Sequence, residues 1–324
     1  MSNSRVIKKT DVSSRDADML FMPMAEEVHA GLIRKQKTIS PKYFYDKRGS
    51  ELFEAITELP EYYPTRTEIH LLRQHGNEFA DMLGRDSYLF ELGSGSSVKI
   101  RLLLEAIRPK LYIPMDISHD HLVASVNQLV EDYPWLDIYA AHVDYTKPWV
   151  LPDFGPGRYN AFFPGSSIGN FEPDSALLLL KRINRLVGKG GGLLIGVDLK
   201  KDISKLEAAY NDAQGITAQF NLNILAHINN RLDADFNPGN FTHIAFYNAD
   251  KGRIEMHLRS QRDHRVRING NTYVFQAGET IHTENSYKYT SEEFLQLAGQ
   301  AGFSPLKEWV DTDGLFSMHY LVGR

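Results

Sequence analysis

From residue 88 onward, short apolar runs alternate with stretches of helical periodicity, an order that few folds accommodate. The apolar runs predict five strands, at residues 88–92, 111–115, 137–143, 160–163 and 192–199. Helical spacing predicts helices at residues 98–107, 121–130 and 173–187. Strands that alternate with helices form a parallel sheet with helices on its faces. The sequence therefore predicts an α/β fold.

The C-terminal residues are expected to complete this sheet. A helix is predicted at 291–302, and two strands at 306–310 and 316–322 flank the turn Asp311-Thr312-Asp313-Gly314. Such a hairpin has an apolar face to bury, and the five earlier strands offer the surface for it. We therefore expect a mostly parallel sheet of seven strands.

If the tail returns to the sheet, the residues before it form an insertion. A long helix is predicted over 203–229, and Asn269-Gly270 between two β-type runs is a strong hairpin signal. We expect one domain from residues 63–202 plus 287–324. A second, α+β domain is expected from residues 20–62 plus 203–286.

The N-terminal part supplies helices to the second domain. Met24, Val28 and Leu32 share one helical face, and a short helix is predicted after Gly49-Ser50. The spacing of Thr65 and Glu68 is that of a capping box, which predicts the start of a helix there.

Composition limits the partners. The chain has 324 residues, a formal net charge of −5 and no cysteine. A chain without a basic field is a poor binder of polyanions, so we expect a small-molecule substrate, no nucleic acid and no membrane. The polar N-terminus lacks the apolar stretch of a secretory signal, and we expect a cytoplasmic monomer.

Three predicted strand ends carry side chains suited to adenosine. Gly93 and Gly95 follow the first strand and lead into a helix, where a ligand can approach backbone amides. Asp116 ends the second strand, where a carboxylate can hold ribose hydroxyls, and Asp144-Tyr145 ends the third, suited to an adenine. Each carboxylate alone is more often a helix cap or a solvated loop residue, but the ordered set favours cofactor binding.

Two cofactor classes fit a glycine turn after a first strand. A dinucleotide fingerprint requires a third glycine, but Val98 stands three positions after Gly95. Glu91 before the glycines and the C-terminal hairpin instead resemble the Rossmann-like class I S-adenosylmethionine methyltransferases. That resemblance implies S-adenosyl-L-methionine as the cofactor.

The fourth predicted strand leads into a loop that such enzymes use for substrate. Its sequence is Phe163-Pro164-Gly165-Ser166-Ser167-Ile168-Gly169-Asn170-Phe171. Asn170 can both donate and accept hydrogen bonds to a small polar group. It could equally cap the helix that begins at Pro173, and spacing alone leaves both roles open.

Several runs resemble one family in particular, the histidine-specific Nα-methyltransferases of ergothioneine biosynthesis. The runs that carry the resemblance are Tyr43-Phe44-Tyr45-Asp46, Gly49-Ser50-Glu51-Leu52-Phe53, Leu59-Pro60-Glu61-Tyr62-Tyr63-Pro64-Thr65-Arg66, Glu91-Leu92-Gly93-Ser94-Gly95, Gly165-Ser166-Ser167-Ile168-Gly169-Asn170, Ala209-Tyr210-Asn211-Asp212-Ala213, Ile254-Glu255-Met256 and Thr283-Glu284-Asn285-Ser286. The match extends from about residue 25 to the end. It implies threefold methylation of the α-amino group of L-histidine to hercynine.

The resemblance also implies roles for individual residues, in a pocket between the two domains. Tyr62, Asn170 and Tyr210 would hold the substrate carboxylate, with no cation needed beside the reacting amine. Glu284 and Ser286 would hold the imidazole, with Asn285 beside them where related sequences can be apolar. The positions implied to line the reaction chamber are Tyr45, the one tentative catalytic residue, Phe53 and Met256. The positions implied to bind cofactor are Gly93, Gly95, Lys99, Asp116, Asp144, Tyr145 and Gly165, with Tyr145 standing where phenylalanine can occur.

Two other functions remain open from the sequence. The scaffold could methylate a different amine, such as another aromatic amino acid, although an indole has no second ring nitrogen to pair. It could also be a non-catalytic module that senses S-adenosylmethionine or an amino acid. No His-Glu-x-x-His spacing occurs, and we predict no metal site.

Overall fold

The structure is a computed structural model that describes residues 23–95 and 98–324. Its helices, in chain order, are α1 (Met24–Leu32), α2 (Lys47–Thr57), α3 (Tyr63–Leu83), α4 (Val98–Ile107), α5 (His119–Asp132), α6 (Pro173–Val187), α7 (Ile203–Ala208), α8 (Ile216–Leu232) and α9 (Ser291–Gln300). Its strands are β1 (Lys37–Thr38), β2 (Tyr88–Leu92), β3 (Leu111–Asp116), β4 (Ala141–His142), β5 (Tyr159–Phe163), β6 (Gly192–Asp198), β7 (Phe241–Asn248), β8 (Arg253–Ser260), β9 (His264–Ile268), β10 (Asn271–Phe275), β11 (Thr280–Tyr287), β12 (Phe303–Val310) and β13 (Phe316–Gly323). No helix in these described ranges has the length and apolar character to cross a bilayer.

The chain forms two compact units, each built from separate stretches of sequence. The first unit, the sheet unit, contains residues 64–199 and 289–324. The second, the insertion unit, contains the described residues up to 63 together with residues 200–288.

The sheet unit is built on seven strands in the order β12-β13-β6-β5-β2-β3-β4. Neighbouring strands from β6 to β4 pair in parallel, whereas β13 pairs antiparallel with both β6 and β12. Helices α4 and α6 bury their apolar faces in the two layers that cover the sheet. The prediction of an α/β fold with a mostly parallel seven-stranded sheet is confirmed.

The third predicted strand is much shorter than expected. Of residues 137–143, only Ala141 and His142 form β4, and Ile138 adds an isolated bridge to Tyr112. The strand lies at the edge of the sheet, so only one side of it has a pairing partner. Ile138, Ala140 and Ala141 are buried without continuous pairing, and Tyr139 and Val143 are half-buried.

The insertion unit contains a sheet in the order β1-β11-β8-β7 and the separate hairpin β9–β10. Asn269 and Gly270 connect the hairpin strands, both with positive φ angles of 46° and 80°. That conformation is the one the Asn-Gly pair favours in two-residue turns. The predicted hairpin is confirmed.

The prediction of one long helix over residues 203–229 is wrong, because the chain breaks between α7 and α8. The Asp212 carboxylate accepts hydrogen bonds from the backbone N–H groups of Ile216 and Thr217, both at 2.8 Å. Gly215 has a φ of 69°, which a continuing helix does not allow. The break spans residues 209–215 and contains Tyr210.

Two predicted helix starts also differ. Helix α2 begins at Lys47, before Gly49-Ser50, since the Asp46 carboxylate caps it through the Gly49 N–H at 2.7 Å. The capping box of Thr65 and Glu68 is wrong, because α3 already begins at Tyr63 and both residues lie inside it. Glu68 is instead fully buried.

Candidate active site

The turn after β2 exposes backbone to a ligand. Gly93 has a φ of 75°, and its N–H donates to the Met115 carbonyl at 2.8 Å. A Cβ at this position would lie 3.3 Å from the Tyr145 hydroxyl oxygen, tighter than an ordinary contact. Glycine therefore leaves open the space between the β2 turn and Tyr145, next to the start of α4.

The structure places Asp116 at the end of β3 and Asp144 shortly after β4, so both follow neighbouring strands. Asp116 is nearly buried, and its Oδ1 accepts from the Ser118 N–H at 2.8 Å. Burial raises the pKa of Asp116, while the hydrogen bond to Ser118 opposes that rise. Asp144 accepts from the Thr146 N–H at 3.0 Å. Local turns thus orient both carboxylates at the carboxyl edge of the parallel strands, where such sheets bind ligands.

Tyr145 supplies an aromatic surface at the same edge. Its ring lies 6.0 Å from that of Phe163 and 6.4 Å from that of Phe171. Burial raises the pKa of the Tyr145 phenol, so the hydroxyl stays protonated at neutral pH. An apolar ring held in this way offers a flat face to a base.

Glu91 lies beneath the glycine turn and is buried. Burial raises its pKa to about 8, while the hydrogen bond that the Tyr112 hydroxyl donates to it lowers the pKa. Glu91 is therefore largely neutral at pH 7.

The loop after β5 is fixed by Glu68, a residue that sequence reasoning missed. The Gly165 N–H donates to the Glu68 carboxylate at 2.9 and 3.0 Å, and Lys99 Nζ lies 2.6 Å from Glu68 Oε2. Gly196 makes room for this carboxylate, because a Cβ there would lie 2.3 Å from Glu68 Oε1. One buried carboxylate thus joins Lys99 and Gly165, both predicted to lie at the cofactor. The Thr-x-x-Glu spacing pointed to a cap and concealed this role.

Asn170 lies in the same loop, at the end of a short 3₁₀ helix, Ser167–Asn170. The N-cap position of α6 is occupied by Glu172, whose side chain makes no capping hydrogen bond. The alternative role of Asn170 as the cap of α6 is therefore wrong. Ser166, directly before the 3₁₀ helix, adopts a left-handed φ of 55°. Its hydroxyl accepts from the Asp198 N–H at 2.9 Å. Strained backbone of this kind, held by its surroundings, is typical of functional loops.

In the insertion unit, Glu284, Ser286 and Lys288 occupy alternate positions along β11 and its continuation, and so share one face. The Tyr210 hydroxyl donates to Ser286 Oγ at 2.8 Å. Lys288 Nζ donates to Ser286 Oγ at 2.8 Å and to the Tyr210 hydroxyl oxygen at 3.2 Å. The structure thus joins Tyr210 and Ser286, which lie far apart in sequence.

Lys288 is the second residue that sequence reasoning missed. Lys288 is only 2% exposed. It lies two residues beyond the Thr283–Ser286 run that carries the resemblance in this strand. Its ammonium lies within hydrogen-bond distance of the Tyr210 hydroxyl, although the resemblance implied no need for a cation beside the reacting amine. A buried ammonium needs acceptors, and the two hydroxyls supply them.

Glu284 lies directly across from Met256 in the antiparallel pairing of β11 and β8, beyond a register shift after His282. The residue is 8% exposed. Burial raises the pKa of Glu284 to about 7, and the charge of Lys288 lowers it. A carboxylate this close to half-protonation at neutral pH gains from a ligand that donates an N–H to it.

Asn285 does not join this group. Strand alternation places it on the opposite face of β11, in register with Glu255. On that face Glu255, His257 and His282 bring one ligand atom each to within 4.8 Å of one another. Arg253 already donates to Glu255 at 2.7 Å, and the two imidazoles stack in nearly parallel planes, 4.5 Å apart. In-plane lone pairs of stacked rings do not converge on one ion, and we propose no metal there.

Aromatic rings extend from the Tyr210 group through the insertion unit. Successive centroids lie 6.3 Å apart from Tyr210 to Tyr62, 6.4 Å from Tyr62 to Phe53 and 5.8 Å from Phe53 to Tyr45. Phe220, which the sequence did not single out, lies 5.9 Å from both Phe53 and Tyr45. The structure therefore brings together the four aromatic residues that the resemblance assigned to substrate.

Comparison with known proteins identifies the chain's family. Residues 24–322 match the family described as SAM-dependent, histidine-specific methyltransferases. The chain belongs to that family. Its cofactor is S-adenosylmethionine, and the glycine turn, Asp116, Asp144 and Tyr145 form a donor and acceptor set that fits the adenosyl part.

Individual proteins that are similar to this chain carry names consistent with the family. Over 307 residues the chain is 39% identical to the histidine N-alpha-methyltransferase of Mycobacterium tuberculosis, with 93% of this chain and 95% of the relative covered. It is 33% identical over 275 residues to ergothioneine biosynthesis protein 1 of Neurospora crassa, covering 82% of this chain and 31% of that longer protein. Among solved structures, an S-adenosylmethionine-dependent methyltransferase from Clostridium acetobutylicum aligns with a TM-score of 0.45 and 10% identity, covering 78% and 92% of the two chains. The family match and the relative from Mycobacterium tuberculosis show that the chain is an enzyme.

Proposed function

We propose that the enzyme methylates the α-amino group of L-histidine three times, giving hercynine in ergothioneine biosynthesis. The observation that carries the proposal is that Glu284 and Ser286 lie side by side on one face of β11. A carboxylate and a hydroxyl two residues apart match the two nitrogens of an imidazole, one donor and one acceptor. The relatives named as histidine methyltransferases support the same substrate.

Each remaining contact has a chemical role in this proposal. Tyr62 and Asn170 offer neutral donors to the substrate carboxylate. The Tyr210 hydroxyl gives its one hydrogen to Ser286, so in this proposal Tyr210 orients Ser286 and does not itself donate to the carboxylate. Tyr45 and Phe53 present ring faces, which attract the cation that grows as methyl groups accumulate on nitrogen. Met256, across from Glu284, supplies adaptable apolar surface.

S-adenosylmethionine supplies an electrophilic methyl group on its sulfonium. The amine attacks with its lone pair, so it must lose a proton before each transfer, and water can accept that proton. The protein contributes orientation, which in favourable systems lowers a barrier by about 7 to 11 kcal/mol. Lys99, Asp116, Asp144 and Tyr145 would hold the cofactor, with Gly93, Gly95 and Gly165 leaving its approach open.

Incubation with S-adenosylmethionine and a panel of amino acids, read by mass, tests the proposal. We expect the mass of three methyl groups on L-histidine and none on tryptophan or tyrosine. Transfer to another amino acid in preference to histidine would refute the substrate, and cofactor binding without transfer to any amine would refute the reaction.

Glu284→Ala is the matched variant for this assay. It should reduce the preference for histidine over other amino acids while S-adenosylmethionine binds as before. An equal loss of both would count against the role of Glu284.

We further propose that the enzyme works as a monomer in the cytoplasm, with no nucleic-acid or membrane partner. The net charge of −5 supports the absence of a polyanionic partner, and the cysteine-free sequence suits a reducing compartment.

A further inference from the structure

Lys288 has no role in the site described so far, yet it contacts two of the residues that the proposed function uses. Its ammonium donates to Ser286 Oγ and to the Tyr210 hydroxyl, and an ammonium cannot accept a hydrogen bond. Both contacts lie within the insertion unit, on the face of β11 that carries Glu284.

The two acceptor positions of the Ser286 hydroxyl are both occupied. One accepts from Lys288 Nζ and the other from the Tyr210 hydroxyl, each at 2.8 Å. The phenol is the more acidic of the two hydroxyls, so it is the donor in their shared bond. Ser286 therefore has only its own hydrogen to offer to a ligand.

From this geometry we infer that Lys288 is a positioning residue that makes Ser286 an obligate hydrogen-bond donor, so that the site selects a neutral imidazole in a single tautomer. The inference rests on the proposed function. It adds the protonation state of the substrate imidazole and which of its two nitrogens carries the hydrogen. Ser286 donates to the unprotonated ring nitrogen, and Glu284 accepts from the nitrogen that carries hydrogen. An imidazolium has two N–H groups, so one of them would face the hydrogen of Ser286 and the charge of Lys288.

The charge at Lys288 supports the other half of the arrangement. It lowers the pKa of Glu284, which burial raises, and so favours the carboxylate as the acceptor. One ammonium thereby sets the direction of both hydrogen bonds to the ring.

A measurement on the unmodified enzyme tests the inference directly. Ring-¹⁵N-labelled L-histidine is bound together with S-adenosylhomocysteine near pH 7.5, and its two nitrogen chemical shifts are recorded. We expect one protonated and one unprotonated nitrogen in a single tautomer. Two protonated nitrogens, or a mixture of tautomers, would overturn the inference without affecting methyl transfer to histidine.

Variants test whether Lys288 is responsible. The probes are L-histidine and the two pyrrolylalanine isomers, each of which keeps one ring N–H and has carbon in place of the acceptor nitrogen. The unmodified enzyme should bind histidine about tenfold or more tightly than the better isomer, since the Ser286 donor is left unpaired. Lys288→Met should bring this ratio close to one, whereas Lys288→Arg, which retains a donor cation, should preserve most of it.

Lys37→Met is the matched control. Lys37 is also largely buried, lies in the same four-stranded sheet and pairs with Glu279 and the Phe275 ring, away from Ser286. Its removal should leave the ratio unchanged. If Lys288→Met weakens all three amino acids equally, Lys288 is only structural and the inference fails. If the unmodified enzyme binds no histidine, the proposed function itself fails, a separate result.

Discussion

Lys99 and Glu68 form an ion pair in the sheet unit, with 2.6 Å between Nζ and Oε2, although Glu68 has no exposed surface. The same carboxylate accepts the N–H of Gly165. A single side chain in the interior of α3 therefore fixes both the lysine at the start of α4 and the loop after β5.

Glu68→Gln should destabilise the protein and weaken cofactor binding together. The amide can still accept from Gly165 but leaves the Lys99 charge without a partner. We expect a loss of about 3 kcal/mol in the free energy of unfolding, the low end for a broken buried pair because Lys99 keeps some contact with solvent. Urea unfolding and calorimetric titration with S-adenosylmethionine measure the two effects. The exposed pair of Glu105 and Arg108 supplies the control, and Glu105→Gln should change neither quantity.

Gly93→Ala should weaken S-adenosylmethionine binding with little effect on the insertion unit. The added methyl group would lie 3.3 Å from the Tyr145 hydroxyl oxygen, and a positive φ costs alanine about 1 kcal/mol. We expect roughly tenfold weaker binding by titration calorimetry. Gly299→Ala, in α9 with open space around the new Cβ, is the control. Unchanged affinity in Gly93→Ala would show that the β2 turn does not contact the cofactor.

Glu284→Gln should make the free energy of unfolding of the ligand-free protein fall less steeply as the pH rises. The pKa of Glu284 is raised to about 7 from an ordinary value of 4.5. The folded state therefore binds the extra proton between these values, and the associated stability is lost as the pH rises from about 4.5 to above 7. Glutamine does not titrate, so the fall in unfolding free energy between pH 5 and pH 8 should shrink by about 2.5 kcal/mol.

The control for this prediction is Glu58→Gln, at an exposed position directly after α2 in the same unit. It should keep the pH dependence of the unmodified protein. A Glu284→Gln curve that runs parallel to that of the unmodified protein would show that burial does not perturb this carboxyl.

The sequence predicted the sheet better than the site, for physical reasons. Strands such as β2 and β6 are buried on both faces, so their continuous apolar runs are visible without knowledge of their neighbours. Edge strand β4 pairs with β3 over two residues only, which a run of apolar residues does not reveal. The break before α8 depends on Asp212 capping amides four and five residues ahead, a local contact that helical periodicity hides.

The resemblance supplied the site residues that lie in recognisable runs, and the structure brings Tyr45, Phe53, Tyr62 and Tyr210 together. Glu68 was missed because its partners Lys99 and Gly165 are distant in sequence. Lys288 was missed because it lies outside the recognised run and one of its partners, Tyr210, is distant. From sequence alone, a charged residue in a helix or strand is interpreted as a cap or a solvated residue, because the partner that would allow its burial is not known. Asn285 was grouped with Glu284 by adjacency, whereas alternation along β11 separates their faces.

The proposed reaction is tested most directly by the position of the methyl groups on the product. The enzyme is incubated with L-histidine and excess S-adenosylmethionine, and the purified product is analysed by proton and carbon NMR. We predict a single signal from three equivalent methyl groups on the α-nitrogen and an unmodified imidazole ring. Methyl groups on a ring nitrogen, or histidine recovered unchanged under conditions where cofactor binds, would contradict the account.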